Sequence, residues 1–484
     1  MNKYGLLKNV LLFVSICLAL SLAWVEKTFY LQSLNQIIYH MKFISGSFDM
    51  GIFYDYLIKV IPTTVFIFII CIKMKSYLKN HKYKKVIHYD VYLCIFIIVV
   101  SLVIACSKFQ VIAYFENKSE LSDFYQTSYV DPKKTSITFK ENKHNLIHIY
   151  LESVEISYLS QENGGYYKES LMPELEQLAL ENINFAQNDR LGGSTTLEGT
   201  QWTTASIIAQ TSGITSSLSL SDKVYDDETP FLPGAYTLAQ VLEENGYQYE
   251  MIMGSDVTFG GISQYYNQHG HCKMMDYNGA KEAGYIPEDY HVFWGYEDQK
   301  MFEIAKQEIL NLSKQDGYFS VEMMTIDTHA PHGYTCEKCP KLYDDLMKNI
   351  IACQSQQVYD FVLWLQQQDF YKDTTIVITG DHNSMSGEFF KDYDQDYIRK
   401  PYHCIINSVV EPQQTKNRLF NVVDMYPTIL ASIGANIEGE RLGIGTNLFS
   451  DQQTLLEEYG LDKVSQELSK TDLFYQKELL QRKP

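Results

Sequence analysis

Four short segments of the chain carry side chains that together suit a hydrolytic-type metal site. In chain order they hold Glu152 after the apolar run Leu146–Leu151, Thr203 within residues 199–204, His329 within residues 325–332, and Asp381 and His382 after the run Thr374–Thr379. Hard carboxylate oxygens and an imidazole nitrogen suit Zn²⁺, Mn²⁺ or Mg²⁺. Such an ion can deprotonate the hydroxyl of Thr203, which then acts as a nucleophile at neutral pH.

The two apolar runs place three of these residues at one edge of a predicted sheet. Leu146–Leu151 and Thr374–Thr379 have the length and composition of buried strands in a parallel sheet. Glu152 and the pair Asp381-His382 therefore follow strand C-termini, where ligands bind in open α/β sheets.

Thr203 precedes the segment Ala205–Ala209, which predicts the start of a helix. A hydroxyl there faces free backbone N–H groups and the positive end of the helix dipole, which suits a phosphate. A threonine at such a position usually serves only as a cap. The rival hydroxyl groups are those of Thr195, Thr196, Thr200, Thr204 and Ser206.

The other candidates also have purely structural interpretations. Glu152 alone suits a helix cap, and His329 and His332 could be surface histidines at a strand exit. The pair Asp381-His382 is more specific, because charge directly after a buried strand costs desolvation free energy unless it is used or paired. The combination favours a site, since four independent candidates emerge at the same predicted edge.

From Leu146 onward, strand and helix patterns alternate, which predicts an α/β sandwich around a central, mostly parallel sheet. The further predicted strands are Tyr247–Met253, Tyr318–Met324 and Tyr402–Ile406. The predicted helices are Met172–Asn182, Ala235–Glu244, Gln299–Lys314, Tyr343–Gln367 as one helix or two, and Val422–Ser432. We expect this domain to span residues 145–450, followed by a polar tail, residues 451–484.

Charge is distributed unevenly along the 484 residues. Residues 1–115 carry 12 lysines, no arginine and 4 acidic residues, whereas the remaining residues carry 28 basic and 55 acidic ones. This asymmetry indicates two different environments. The strongly acidic part argues against a nucleic-acid partner, which requires a basic face.

Three apolar segments, Val10–Val25, Val60–Ile72 and Val91–Cys106, predict a membrane anchor in residues 1–115. A cleaved signal peptide is the alternative for the first segment, but no clear small-residue cleavage site follows Val25. A buried core helix is the alternative for the second. A polar linker, residues 116–144, follows the anchor.

The lysines predict how this anchor is oriented. Six of them fall between the second and third segments: Lys73, Lys75, Lys79, Lys82, Lys84 and Lys85. Such a loop is expected in the cytoplasm. The protein is therefore predicted to be a multi-pass cell-membrane (inner-membrane) protein whose acidic domain is extracytoplasmic.

The acidic domain contains five of the nine cysteines: Cys272, Cys336, Cys339, Cys353 and Cys404. The pair Cys336 and Cys339 has the spacing of half a zinc site or of a redox pair, but no second Cys/His pair at metal spacing accompanies it. Outside the cytoplasm we expect a structural disulfide among Cys336, Cys339 and Cys353.

Four motifs of this sequence resemble those of the phosphoglycerol transferases. They are Tyr150-Leu151-Glu152-Ser153, Gly199-Thr200-Gln201-Trp202-Thr203, Asp327-Thr328-His329-Ala330-Pro331-His332-Gly333 and Gly380-Asp381-His382. These transferases are membrane-anchored relatives of lipoteichoic acid synthases within the sulfatase and alkaline phosphatase superfamily. The resemblance runs from about Asn145 to Phe449, and it implies a sulfatase/alkaline phosphatase-like α/β sandwich preceded by a helical membrane anchor.

The resemblance also implies a role for each site residue. The metal ligands would be Glu152, Thr203, Asp381 and His382. Thr203 would also be the nucleophile, and His329 would bind the phosphoryl group or protonate the leaving oxygen. The implied activity is transfer of phosphoglycerol from the lipid donor phosphatidylglycerol to an extracytoplasmic glycan or oligosaccharide acceptor.

The pattern departs from that of lipoteichoic acid synthases in two respects. Those enzymes usually have five membrane segments, whereas this chain has three apolar ones. The Trp and the Arg that contact phosphoglycerol in them have no clear match in residues 254–261.

Other functions stay open as alternatives. A phosphoethanolamine transferase has a similar layout, although its Cys-rich surroundings of the nucleophile are absent here. A metal-dependent phosphodiesterase or sulfatase-like hydrolase is another, but a sulfatase needs Cys or Ser followed by x-Pro-x-Arg, which Thr203–Ile207 lacks. A non-catalytic binding or assembly protein is disfavoured because every required ligand type is present.

Overall fold

The computed structural model describes residues 3–28, 34–43, 50–79, 90–218, 225, 229–394 and 396–481. They fall into two compact units. In the first half of the chain the helices are α1 (Lys3–Thr28), α2 (Leu34–Lys42), α3 (Met50–Lys79), α4 (Asp90–Lys108), α5 (Val111–Ser119), α6 (Phe124–Ser128), α7 (Pro173–Glu181), α8 (Thr203–Ser212) and α9 (Leu238–Glu244). The later helices are α10 (Ile262–Gln268), α11 (Tyr277–Glu282), α12 (Asp298–Leu312), α13 (Leu346–Gln366), α14 (Gly387–Phe390), α15 (Met425–Ser432), α16 (Leu455–Tyr459) and α17 (Leu461–Ser469).

The first unit contains three helices that are long and apolar enough to cross a membrane: Tyr4–Thr28, Phe53–Leu78 and Asp90–Lys108. Leu12, Ile16 and Cys94 pack together between these helices. Asp90 forms ion pairs with Lys8 at 3.5 Å and Lys75 at 3.1 Å. The three predicted apolar segments are therefore helices. Their orientation stays a prediction, because residues 80–89 of the lysine-rich loop lie outside the described residues.

The second unit is built on a six-stranded sheet. Its strands are β1 (Asn145–Leu151), β2 (Tyr247–Met253), β3 (Lys273–Met275), β4 (Tyr318–Met324), β5 (Thr374–Gly380) and β6 (His403–Ile406). Their order across the sheet is β3-β2-β4-β1-β5-β6. All neighbours pair in parallel except β5 and β6, which are antiparallel. The predicted mostly parallel sheet is confirmed.

Helices cover the sheet because its central strands are apolar on both faces. Alternate residues of β1, including Leu146 and Tyr150, join a core cluster that also contains side chains of α8, α9 and α15. On the other face, Cys404 of β6 contacts the Leu178 carbonyl of α7, and α7 packs on α13. The sheet is therefore the middle layer of a three-layer sandwich, which holds the strand ends in place.

Strand β3 and helix α2 are among the elements of this unit that were not predicted. Strand β3 has three residues and, within the described residues, pairs with the neighbouring strand β2. Helix α2 packs Tyr39 against Trp202, with their ring centroids 4.7 Å apart. Both elements are too short to show periodicity, so only their tertiary contacts reveal them.

Short ladders also involve residues beyond the sheet. Residues 121–122 pair with 471–472, and residues 137–139 pair with 435–437. The predicted linker and tail thus contain paired segments, and the predicted domain limits stay a prediction.

The expected disulfide is not formed. All nine cysteines are free thiols. The Cys336 sulfur lies 3.6 Å from that of Cys339 and 3.7 Å from that of Cys353, whereas a disulfide bond is about 2.05 Å long. The three cysteines are nevertheless adjacent, as expected.

Candidate active site

The site residues predicted from the sequence meet at the C-terminal edge of the sheet. Glu152 follows β1, the pair Asp381-His382 follows β5, and α8 begins at Thr203. Parallel pairing of Tyr150 with both Met324 and Thr379 brings the ends of β1, β4 and β5 together. The strand register therefore positions side chains that lie far apart in the sequence.

The hydroxyl of Thr203 lies between a carboxylate and an imidazole. It donates a hydrogen bond to Glu152 Oε2 at 3.2 Å and lies 3.4 Å from His382 Nε2. Thr203 is the first residue of α8, and the preceding Trp202 provides no side-chain cap. The first N–H groups of a helix have no partner within the helix, so they are free to bind phosphoryl oxygens next to this hydroxyl.

Three of the rival hydroxyl groups are engaged elsewhere. Thr200 donates to the Leu197 carbonyl at 2.9 Å, and Ser206 donates to the Asp381 carbonyl. Thr204 interacts with the Tyr39 hydroxyl. Thr203 is thus the hydroxyl of its segment that faces Glu152 and His382.

The two carboxylate oxygens of Asp381 differ in their hydrogen bonding. Its Oδ1 accepts the N–H groups of Ser153 at 2.8 Å and His382 at 2.7 Å. Its buried Oδ2 accepts no hydrogen bond from the described residues and lies 3.2 Å from His382 Nε2. An oxygen withdrawn from water in this way needs a partner.

Local backbone geometry fixes these groups in place. Ser153 adopts a positive φ of 58°, which aims its N–H at Asp381 and allows its hydroxyl to donate to Glu152 Oε1 at 2.6 Å. Gly380 passes so close to the segment after β1 that a Cβ would lie 1.9 Å from the Val154 carbonyl oxygen. Any larger residue there would therefore displace Asp381.

His382 is held in a defined orientation. Its Nδ1 lies 2.9 Å from the Asn383 carbonyl oxygen, so Nδ1 carries the proton that is donated to this acceptor. The other nitrogen, Nε2, is then free to accept and faces Thr203, Asp381 and Glu152. A second-sphere bond of this kind is the usual way to orient a metal-binding histidine.

The site concentrates negative charge out of contact with water. Glu152, Asp381 and His382 are at most 2% exposed. Burial, and next the charge of Glu152, raises the pKa of Asp381 to about 7. Burial opposes the charged form of His382, but Asp381 and Glu152 outweigh it and raise the pKa of this imidazole.

The donor set fits a divalent cation. One ligand atom from each of Glu152, Asp381 and His382 lies within 4.8 Å of the others. Two carboxylates, an imidazole and the adjacent Thr203 hydroxyl are the ligand types that Zn²⁺, Mn²⁺ and Mg²⁺ accept. Such an ion would satisfy the unbonded Oδ2 of Asp381.

His329 lies beside this cluster. Burial opposes the charged form of Glu152. The charges of His329 and His382 and the hydrogen bond from Ser153 outweigh burial, so the pKa of Glu152 is lowered. The Nδ1 of His329 contacts the Ala330 carbonyl at 2.7 Å, which leaves Nε2 available. The neighbouring His332 is exposed, so the structure distinguishes the two histidines.

Sequence reasoning missed an aromatic wall next to His329. The indole of Trp294 packs edge-on against the His329 ring with centroids 4.8 Å apart, and Phe259 packs on the same indole at 5.2 Å. No periodic pattern surrounds Trp294, since it lies in a loop between α11 and α12. Only the tertiary contact with His329 therefore shows that Trp294 lies next to the site.

A buried polar network also supports Glu152. The Thr325 hydroxyl accepts the Glu152 N–H at 2.9 Å, and Thr328 donates to the Glu152 carbonyl. Gln354 of α13 donates to Thr325 at 2.7 Å and to Thr328 at 3.2 Å. Hydrogen bonds of this kind rigidify the residues that they join.

Comparison with known proteins connects this site to a family. A family profile described as Sulfatase matches residues 144–435. Phosphoglycerol transferase I of Escherichia coli (strain SMS-3-5 / SECEC) is 27% identical over 328 residues, 66% of this chain and 41% of that protein. Phosphoglycerol transferase I of Salmonella choleraesuis (strain SC-B67) is 27% identical over 343 residues, 69% of this chain and 43% of that protein. The match spans less than half the length of each relative.

Solved structures support the same fold. A protein in the alkaline phosphatase superfamily from Vibrio parahaemolyticus has a TM-score of 0.53 at 22% identity, covering 68% of this chain and 76% of that one. The lipoteichoic acid synthase LtaP from Listeria monocytogenes has a TM-score of 0.50 at 17% identity, covering 66% and 79%. The predicted fold class is confirmed.

Proposed function

Because this chain belongs to the sulfatase family, we propose that it is a membrane-anchored transferase that moves phosphoglycerol from phosphatidylglycerol to an extracytoplasmic glycan. The observation that carries this proposal is the Thr203 hydroxyl, which lies at a helix start between Glu152 Oε2 and His382 Nε2. The similarity to proteins named phosphoglycerol transferase I supports the choice of transferred group.

The proposed ligands of a divalent Zn²⁺, Mn²⁺ or Mg²⁺ ion are Glu152, Thr203, Asp381 and His382. When bound, such an ion lowers the pKa of the Thr203 hydroxyl and offsets negative charge on the phosphoryl group. Ser153 and Asn383 keep the ligands oriented through hydrogen bonds to Glu152, Asp381 and His382.

The first half-reaction releases diacylglycerol. The Thr203 hydroxyl donates to Glu152 Oε2, so this carboxylate takes its proton, and the deprotonated oxygen attacks the donor phosphorus. A bond forms between Thr203 Oγ1 and phosphorus, and the bond from phosphorus to the diacylglycerol oxygen breaks. His329 protonates that leaving oxygen, and the N–H groups at the start of α8 hold the phosphoryl oxygens.

The second half-reaction transfers the group to the acceptor. A sugar hydroxyl gives its proton to the now neutral His329 and attacks the phosphorus of phospho-Thr203. The bond from phosphorus to Thr203 Oγ1 breaks, Glu152 returns its proton to Oγ1, and the regenerated hydroxyl completes a ping-pong cycle. The three apolar helices would keep the domain beside its lipid donor at high effective concentration.

Replacing His329 by glutamine should reduce diacylglycerol release by about 10²-fold, because the leaving oxygen then departs without a proton. A donor analogue with p-nitrophenol as leaving group needs no protonation, so its turnover should fall far less. The matched control is His332→Gln, which changes an exposed histidine on the same loop. Equal losses of turnover with both donors would show that His329 is not the general acid.

The choice of donor is tested with the full-length protein in vesicles that contain either phosphatidylglycerol or phosphatidylethanolamine. We expect diacylglycerol release from phosphatidylglycerol and at least about 100-fold less from phosphatidylethanolamine. A site that hydrogen-bonds one head group can discriminate against another head group by such a factor. Mass analysis of the acceptor glycan should show added phosphoglycerol. The opposite preference would identify a phosphoethanolamine transferase, and release without glycan modification would identify a phosphodiesterase.

A further inference from the structure

Three cysteines that the proposed reaction does not use form a cluster of their own. Cys336 and Cys339 lie in the loop that follows His329, and Cys353 lies on α13. The sulfur of Cys336 is 3.6 Å from that of Cys339 and 3.7 Å from that of Cys353. Cys336 and Cys353 are buried, and Cys339 is half-buried. The three thiols therefore converge on one small region.

The spacing of the sulfurs matches metal coordination. Thiolates bound to Zn²⁺ at about 2.3 Å in tetrahedral geometry lie about 3.8 Å from each other. A disulfide would bring two sulfurs to about 2.05 Å and leave the third without a role. The observed sulfur–sulfur distances are instead nearly equal for the pairs Cys336–Cys339 and Cys336–Cys353.

The surroundings supply the donors that thiolates need. Gln357 Nε2 lies 3.4 Å from the Cys353 sulfur and 3.8 Å from the Cys336 sulfur as a donor. The backbone N–H groups of Lys338 and Cys339 also donate to Cys336. Hydrogen bonds to the ligand atoms from such outer groups orient metal ligands and tune their charge.

The cluster offers three sulfur ligands to an ion. Within the part of the chain that the structure describes, no further Cys, His, Asp or Glu joins the three-cysteine group, so solvent would take a fourth coordination position.

We propose that Cys336, Cys339 and Cys353 form a second metal site, a thiolate site for Zn²⁺, separate from the candidate active site. Soft thiolate ligands select Zn²⁺ and Cu⁺ over Mg²⁺ or Mn²⁺. The ion would tie the loop after His329 to α13, the helix whose Gln354 supports the backbone of Glu152 through Thr325 and Thr328. Its role is therefore to hold the loop that carries His329.

The test uses the full-length protein in detergent, reduced, stripped of metal and titrated with Co²⁺ as a spectroscopic probe for Zn²⁺. A thiolate site gives an intense sulfur-to-cobalt charge-transfer band, which an oxygen- and nitrogen-ligated site does not give. We expect this band in the wild type and in Asp381→Asn, and its loss in Cys353→Ser. Cys272→Ser is the matched control, since Cys272 lies outside the cluster and should keep the band.

A second measurement does not depend on any variant. Alkylation of the wild type in intact cells, followed by peptide mass spectrometry, should leave Cys336, Cys339 and Cys353 protected until a chelator is added. Two cysteines that become reactive only after reduction would show a disulfide and overturn the proposal. Equal reactivity with and without the chelator would also overturn it. Because the band is read independently of lipid turnover, its absence would leave the proposed transferase activity unaffected.

Discussion

Replacing Thr203 by alanine should reduce diacylglycerol release from phosphatidylglycerol by about 10³-fold or more, because the reaction then loses its nucleophile. Thr203 Oγ1 is the hydroxyl that lies within 3.4 Å of both Glu152 and His382. Its neighbours Thr200 and Ser206 are bonded to backbone carbonyls. The helix that Thr203 starts should still form, since Trp202 remains and alanine favours helices.

The same experiment should identify the covalent intermediate. Incubating the wild type with phosphatidylglycerol without acceptor should place a phosphoglycerol group on the peptide that contains Thr203. Thr203→Ser keeps a hydroxyl and should retain measurable turnover. Thr204→Ala removes the adjacent, buried hydroxyl and should retain most activity. An adduct on Thr200, Thr204 or Ser206, or normal turnover by Thr203→Ala, would falsify the assignment.

Replacing Asp381 by asparagine should weaken binding of the active-site divalent ion by at least about 100-fold, because a charged ligand contributes more than the outer-shell contacts whose loss costs 10- to 100-fold. Asp381 Oδ2 is buried and accepts no hydrogen bond from the described residues. We propose that an ion is the partner of this oxygen. Turnover should fall together with metal content, measured by elemental analysis of the full-length protein after dialysis.

The ion-free protein should respond in the opposite direction. Asparagine removes one of two buried negative charges, so repulsion with Glu152 is relieved and the ion-free variant should melt no lower than the ion-free wild type. Added Mn²⁺ should raise the melting temperature of the wild type but not of the variant. Asp345→Asn is the control, because it removes a carboxylate at an exposed helix cap, where asparagine caps equally well. Full occupancy in Asp381→Asn would show that the ion is held elsewhere.

The sequence by itself determined the central strands, the long apolar helices and the edge at which the site forms. Continuous apolar runs predicted strands at Leu146–Leu151 and Thr374–Thr379, and the structure has Asn145–Leu151 and Thr374–Gly380. The same reasoning predicted the three apolar helices. These patterns are local, because a strand buried on both faces or a helix in a membrane must be apolar throughout. The placement of Glu152 and Asp381 after strand ends follows from the same patterns.

Only the tertiary structure decided which side chains meet. It places the Thr203 hydroxyl beside Glu152 and that of Thr200 against a backbone carbonyl. It brought Trp294 to His329 from a loop without any periodic pattern. It also joined Cys353 of a helix to a loop cysteine pair as free thiols, where the sequence predicted a disulfide. The physical reason is that periodicity reports how one segment meets solvent or core, whereas a site depends on contacts between segments distant in the chain, which register and packing alone determine.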